Sequence, residues 1–243
     1  MGLIYAIIVC MERKDSFVVG EYYHVYNRGV AKQRIFFEER EKERFQMSLY
    51  LCNTQKAVIF CDVEKRGFEW SRGDPIAGIV AYTCMPNHFH LIAKETVEGG
   101  ISKLLGKLLT SHSTYINIKY QRSGPLMCRP FRSKHIDSDE YFRWVLAYVM
   151  LNPLELFEPH WKEKGIKDMQ KAGNFLRSYR YCSFPDYFVG ERKEGRILDK
   201  KALPFDEREI NSFDEMLSEL REATGGRYSD SINRFLEGQR SYS

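Results

Sequence analysis

The chain contains no run of eighteen or more apolar residues, which excludes a predicted membrane-spanning helix. Its apolar opening, Leu3 to Cys10, is too short to span and lacks the basic start and cleavage site of a secretory leader. Six cysteines, at positions 10, 52, 61, 84, 128 and 182, never take Cys-x-x-Cys spacing. That pattern excludes the common zinc modules and disulfide scaffolds, and argues for reduced thiols in a cytoplasmic protein. No internal repeat or low-complexity tract is visible. Acid is missing locally: from 99 to 136 there is no Asp or Glu, against seven basic residues, Lys103, Lys107, Lys119, Arg122, Arg129, Arg132 and Lys134. Because the whole chain carries only +4, everything outside that stretch is net acidic.

What is present suffices for a substantial core, since 43% of the 243 residues are hydrophobic, and the length permits one or two domains. The one-signed stretch is interleaved with Tyr115, Tyr120 and Phe131. Phosphate contact combined with base stacking requires such a mixture, whereas a shorter basic run would read as a solvated helix face.

The segment Met85-Pro86-Asn87-His88-Phe89-His90-Leu91 places two imidazoles one residue apart. In a β-strand that spacing puts both on one face and turns Phe89 toward the other. Strand-forming residues surround the segment, and Pro86 with Asn87 predicts a turn just before it. On spacing alone the pair fits either a metal site or an ordinary surface pair, because two ligands do not complete a site.

A helix is predicted from 138 to 152. Ser138 suits the N-cap, Asp139 and Glu140 suit the positive end of the dipole, and Pro153 marks the stop. Tyr148 and Asn152 stand four residues apart and therefore project from one side. A phenol and an amide oxygen beside two imidazoles form a candidate active-site group.

The remaining pattern predicts strands near 21–27, 76–84, 87–95 and 127–135, with helices near 38–54 and 100–120. This β-α-β-β-α-β order is α+β and ferredoxin-like (RRM-like), an antiparallel sheet with helices on one face. Residues 1–20 read as an N-terminal extension, with Met11 as an alternative start. Residues 21–190 read as the main domain. Residues 191–243 read as a linker and a helical C-terminal extension, in which Ile210, Phe213, Leu217 and Leu220 make an amphipathic helix closed by Gly225-Gly226.

Taken together these motifs resemble the REP-associated tyrosine transposases, a branch of the single-tyrosine HUH transposases. The resemblance runs over roughly residues 20 to 190. It is carried by Tyr22-Tyr23-His24-Val25-Tyr26-Asn27-Arg28-Gly29, by Met85 to Leu91, and by Ser123-Gly124-Pro125-Leu126 with Arg129, Phe131, Arg132 and Ser133. Tyr148 to Pro153 and Tyr179-Arg180-Tyr181-Cys182-Ser183 complete it. Two features depart from the family pattern: Met127 stands where an aromatic residue is common, and residues 55–75 form a longer connection, read as an insertion or hairpin.

The resemblance implies metal-dependent nicking and joining of single-stranded or hairpin DNA, with the same fold. Tyr148 would be the nucleophile, leaving a 5′-phosphotyrosine and a free 3′-hydroxyl. A free tyrosine, with a pKa of about 10, is phenolate in only about one part in a thousand at neutral pH, so the attack needs help. A divalent cation, Mg2+ or Mn2+, on His88, His90 and Asn152 would offset the developing charge. Arg28 and the seven basic residues of the acid-free stretch are the expected DNA contacts. Tyr115, Tyr120 and Tyr141 are read as packing or stacking groups, His24 as a site-edge residue, and His112, His135 and His160 as structural or surface groups.

Two other classes remain open at this stage: a non-catalytic nucleic-acid binder on the same sheet, and a metal-dependent hydrolase in which water attacks. The short connection from Phe131 to Ser138 favours a self-contained monomer, with a dimer as the alternative.

Overall fold

A computed structural model describes residues 16–224. The expectations placed on Met11 as a start and on Gly225-Gly226 as a helix stop lie outside the described residues.

Four strands form one antiparallel sheet: β1 (Tyr22–Arg28), β2 (Ala77–Met85), β3 (His88–Glu95) and β4 (Arg132–Ile136). Their order across the sheet is β2-β3-β1-β4, the ferredoxin-like arrangement that the element order predicts. The predicted turn at Pro86-Asn87 is the two-residue connection between β2 and β3. Between β1 and β2 run α1 (Glu39–Cys52) and the short α2 (Phe60–Val63), and α3 (Gly100–Lys119) links β3 to β4. Helix α1 starts from a capping box in which Glu38 and Glu41 each accept from the other's backbone N–H.

Phe89 is completely buried and meets Phe45 of α1 at a ring separation of 5.2 Å. Helix α1 therefore covers the Phe89 face of the sheet, with α3 packed beside it. Because alternate strand residues point to opposite faces, His88 and His90 look the other way. That second face is covered by α4 (Asp139–Leu151), whose Tyr148 packs on His90. The expectation of helices on one face thus holds for α1 and α3, and α4 adds a layer on the other. Its composition explains the position: every residue from Trp144 to Leu151 is buried, and a helix apolar all round must be enclosed.

The chain continues through α5 (Leu154–Phe157), α6 (Trp161–Lys164), α7 (Met169–Ser178), α8 (Phe184–Phe188) and α9 (Phe213–Thr224). Between α7 and α8, the Cys84 N–H donates to the Tyr181 carbonyl and the Ser183 N–H to that of Tyr82, both at 2.9 Å. The Tyr-rich and Ser-rich segment thereby covers the open edge of β2.

Three expectations are revised. The predicted strand over 127–135 begins only at Arg132, because Pro130 has no N–H to give a ladder. Residues 124–131 instead line a groove of about 780 Å³ against α3. The 55–75 connection is not a hairpin; it folds as α2 and a 3-10 turn, with Val63 and Phe68 buried and Thr54 Oγ1 donating to the Arg72 carbonyl at 2.6 Å. The linker expected around 190–196 is packed: Arg192 pairs with Asp186 at 2.6 Å, and Glu194 and Ile197 are buried. Helix α9 packs on α4, so the extension folds back onto the main domain. Among the described residues Cys52, Cys84, Cys128 and Cys182 are free thiols.

Candidate active site

Strand register gathers the site before any helix is added. On β1, Tyr26 lies opposite His90 and Arg28 opposite His88. On β4, Arg132 lies opposite Tyr26 and Lys134 opposite His24. On β2, Thr83 lies opposite His90. Directly opposed residues share a face, so three histidines, Tyr26 and three cations occupy the face that α4 covers.

Helix α4 then brings the phenol. The Tyr148 ring lies 5.4 Å from the His90 ring and perpendicular to it, and is backed by Trp144 one helical turn earlier, stacked at 5.6 Å. The Tyr148 hydroxyl is hydrogen-bonded to the Asn152 side chain. Asn152 Oδ1 in turn stands 3.3 Å from His88 Nε2. The i,i+4 pair of α4 therefore bridges the nucleophile candidate and the imidazoles within a single chain.

The two imidazoles are oriented from behind. His88 Nδ1 lies 2.7 Å from Asn87 Oδ1, and His90 Nδ1 lies 2.9 Å from His24 Nε2. With a proton assigned to each Nδ1, those nitrogens donate to Asn87 and His24, and both Nε2 lone pairs are left for the site. In that tautomer His88 Nε2 and Asn152 Oδ1 face one another as two acceptors with no hydrogen between them. Donors bound side by side on a cation with bonds of about 2.1 Å stand roughly 3 Å apart, close to this spacing. Thr83 Oγ1, opposite His90, is buried without a hydrogen-bond partner among the described residues. The donor set His88, His90 and Asn152 therefore fits a divalent cation, although no group of three His, Cys, Asp or Glu converges among the described residues.

The electrostatics suit an anionic guest. Burial lowers the pKa of His88 to about 4, with Lys162 and Arg28 adding to the effect, while the Asn152 contact opposes it. His90 is driven well down by burial, then by His88, His24 and Lys162. Tyr148 is pushed above the ordinary phenol range by burial, which the Asn152 hydrogen bond only partly offsets, so the resting group is a protonated phenol. Tyr26 is raised by burial too, with the Arg132 charge opposing.

Two fully buried histidines make a pH prediction. Burial lowers His24 to about 3 and His112 to about 4, and His112 Nε2 donates to the Ile35 carbonyl at 2.8 Å. Both bind protons more weakly folded than unfolded, so their stability contribution is complete above pH 6.5 and is lost as pH falls toward 4. Urea denaturation at pH 7 and 4.5 should show a marked drop, up to about 1.4 kcal/mol per pH unit for each histidine. Equal midpoints at the two values would contradict the assignment.

The expected DNA contacts separate into two groups. Arg28, Arg132 and Lys134 lie on the site face. Arg129 lines the groove against α3. Lys103, Lys107, Lys119 and Arg122 lie on or just beyond α3, the helix packed with α1 behind the sheet, and are held internally. Lys103 bonds Gln55, Lys107 the Thr54 and Lys56 carbonyls, Lys119 bonds Glu38 and Glu41, and Arg122 bonds Gln33. Of these four only Lys119 meets carboxylates, those of Glu38 and Glu41 at the start of α1; the other three keep their charge and bond neutral oxygens. The competing phenols of α3 are elsewhere: Tyr120 donates to Glu41 at 2.7 Å, and Tyr115 lies under Arg44.

Two site residues, Tyr26 and Lys162, escaped the sequence reading, and a third, His24, read there as a site-edge residue, is fully buried. His24 is a partner of His90 rather than an edge group, and Tyr26 has its ring 5.8 Å from that of His90. Strand alternation of His24, Tyr26 and Arg28 carried that signal once β1 is paired with β3. Lys162, with Nζ 4.4 Å from the Tyr148 ring centroid, had none, since it lies on α6, beyond the short α5.

No family model matches the chain, and no curated protein matches it. Among solved structures the chain is similar to a REP-associated tyrosine transposase bound to a REP hairpin. The TM-score is 0.43 and the identity 9%, over 83% of this chain and 96% of that one.

Proposed function

We propose that the protein is a metal-dependent single-stranded DNA endonuclease and strand transferase acting through Tyr148. The observation that carries this reading is the continuous contact from the Tyr148 hydroxyl through Asn152 to His88, within one chain. A divalent cation, Mg2+ or Mn2+, held by His88, His90 and Asn152 would supply Lewis-acid polarisation of a phosphate oxygen. Asn152 holds the Tyr148 oxygen on the imidazole side of α4, and the Trp144 stack limits its swing. That oxygen attacks phosphorus; the Oη–P bond forms as the bond to the 3′-oxygen breaks. The phenol loses one proton and the 3′-oxygen gains one, so the charge balances and the phosphodiester energy is kept in the 5′-phosphotyrosine. Arg28, Arg132 and Lys134, which share that sheet face, would hold flanking phosphates.

Since α4 reaches its own sheet, the arrangement favours a monomer that needs no partner's tyrosine. The alternative of a non-catalytic RRM-like binder requires an open sheet face on which bases stack. Here Tyr148 of α4 lies over His90 and His24 at the centre of that face, and only the β4 edge, with Arg132, is exposed.

The test is incubation with Mn2+ and single-stranded hairpins taken from the DNA flanking the gene. A denaturant-resistant protein–DNA adduct is expected. Binding without cleavage would instead identify a binder, and free 5′-phosphate ends without adduct would identify a hydrolase.

A further inference from the structure

One cation sits against the proposed nucleophile from the helical side of the site. Lys162 Nζ is 4.4 Å from the Tyr148 ring centroid, and that ring lies 5.4 Å from the ring of His90. Local structure fixes it there. Trp161, almost completely buried, anchors α6, and the His160 N–H donates to Glu155 Oε1 at 3.2 Å. His160 itself has φ of 65°, a left-handed conformation uncommon for a residue with a side chain, at the turn that leads into α6.

Cation–π packing accounts for a lysine above an aromatic ring. It also sets that ammonium beside the ring whose hydroxyl is the proposed nucleophile, a ring stacked on Trp144 as well. An ammonium so placed can meet an anion that approaches the Tyr148 hydroxyl. The sheet already supplies Arg28, Arg132 and Lys134 from below; an anion beside Tyr148 would meet Lys162 from the other side.

We infer that Lys162 is a catalytic residue whose ammonium pairs with a non-bridging oxygen of the phosphodiester that Tyr148 attacks, an inference that rests on Tyr148 being the nucleophile. Lys162 keeps its protons throughout. Its contribution is charge, offsetting the negative charge that builds on the phosphoryl oxygens as the Oη–P bond forms and the bond to the 3′-oxygen breaks.

The test compares the wild type, Lys162→Met and Lys162→Arg on one hairpin oligonucleotide whose cleavage position the wild type has mapped. The hairpin carries either the natural phosphate or a neutral methylphosphonate at that position. On phosphate, Lys162→Met should slow adduct formation by about 10²-fold to 10³-fold, with hairpin affinity within about threefold and Lys162→Arg recovering at least about tenfold. On the methylphosphonate the wild type and Lys162→Met should differ by less than about threefold, because the charge that Lys162 answers is gone. If Lys162→Met does not fold, Lys162→Gln is read by the same two ratios. Equal rates on phosphate, or the same large penalty on both linkages, would overturn the inference and leave Lys162 a packing group. Failure of the folded wild type to form any adduct would overturn the Tyr148 reading, and this inference with it.

Discussion

Tyr148→Phe should eliminate the covalent DNA adduct, a loss on the order of 10⁴-fold or more, while hairpin affinity should change by no more than about threefold. The size follows from the proposed role: the substitution removes the side-chain oxygen that would bond to phosphorus and leaves the ring in place. The phenyl group still stacks on Trp144 and still stands perpendicular to His90, while the bond to Asn152 is lost. One such hydrogen bond contributes about 1 kcal/mol, well within what a domain of this size tolerates. The same protein should therefore melt cooperatively, bind DNA and fail to cleave it. Gel analysis under denaturing conditions reads the adduct, and fluorescence anisotropy reads the affinity. An adduct that persists in Tyr148→Phe would move the chemistry to another phenol, and Tyr26 is the one that geometry nominates.

The second large effect concerns the cation. Adduct formation should vanish with chelator and return with Mn2+, and His88→Ala should weaken Mn2+ binding by about 10²-fold or more as read by electron paramagnetic resonance of the free ion. Three neutral donors would leave the full charge of a cation for the phosphate but would hold it less firmly than carboxylates do, so loss of one should be severe. Asn152→Ala should combine both losses, because the same amide contacts His88 and the Tyr148 hydroxyl. Its cleavage defect should then exceed that of His88→Ala under saturating Mn2+, where the metal term is suppressed and the positioning of Tyr148 remains. Cleavage that proceeds undiminished in excess chelator would remove the cation from the account.

Much of this site is legible from short-range pattern. His88 and His90 are two residues apart and Tyr148 and Asn152 four apart, and period alone decides that each pair shares a face once strand and helix are assigned. The sheet order follows from element order and from the tight Pro86-Asn87 turn. What pattern cannot supply is which charges meet which. The acid-free stretch reads as one basic surface, yet Glu38 and Glu41, sixty residues or more away in sequence, neutralise Lys119, and backbone carbonyls hold Lys107. In the same way His24 reaches His90 only through pairing of β1 with β3, and Lys162 reaches Tyr148 only after α5 and α6 have turned back over α4. The second helical layer is hidden for a related reason. An all-round apolar α4 must be enclosed, but its sequence does not say that the sheet's free face and α9 enclose it.

The most direct measurement is tandem mass spectrometry of the denatured adduct after nuclease and protease digestion. The account requires the residual phosphonucleotide on the peptide carrying Tyr148, attached to that tyrosine. A modification on Tyr26, Tyr115, Tyr120 or Tyr141, or cleaved DNA with no modified peptide at all, would contradict it.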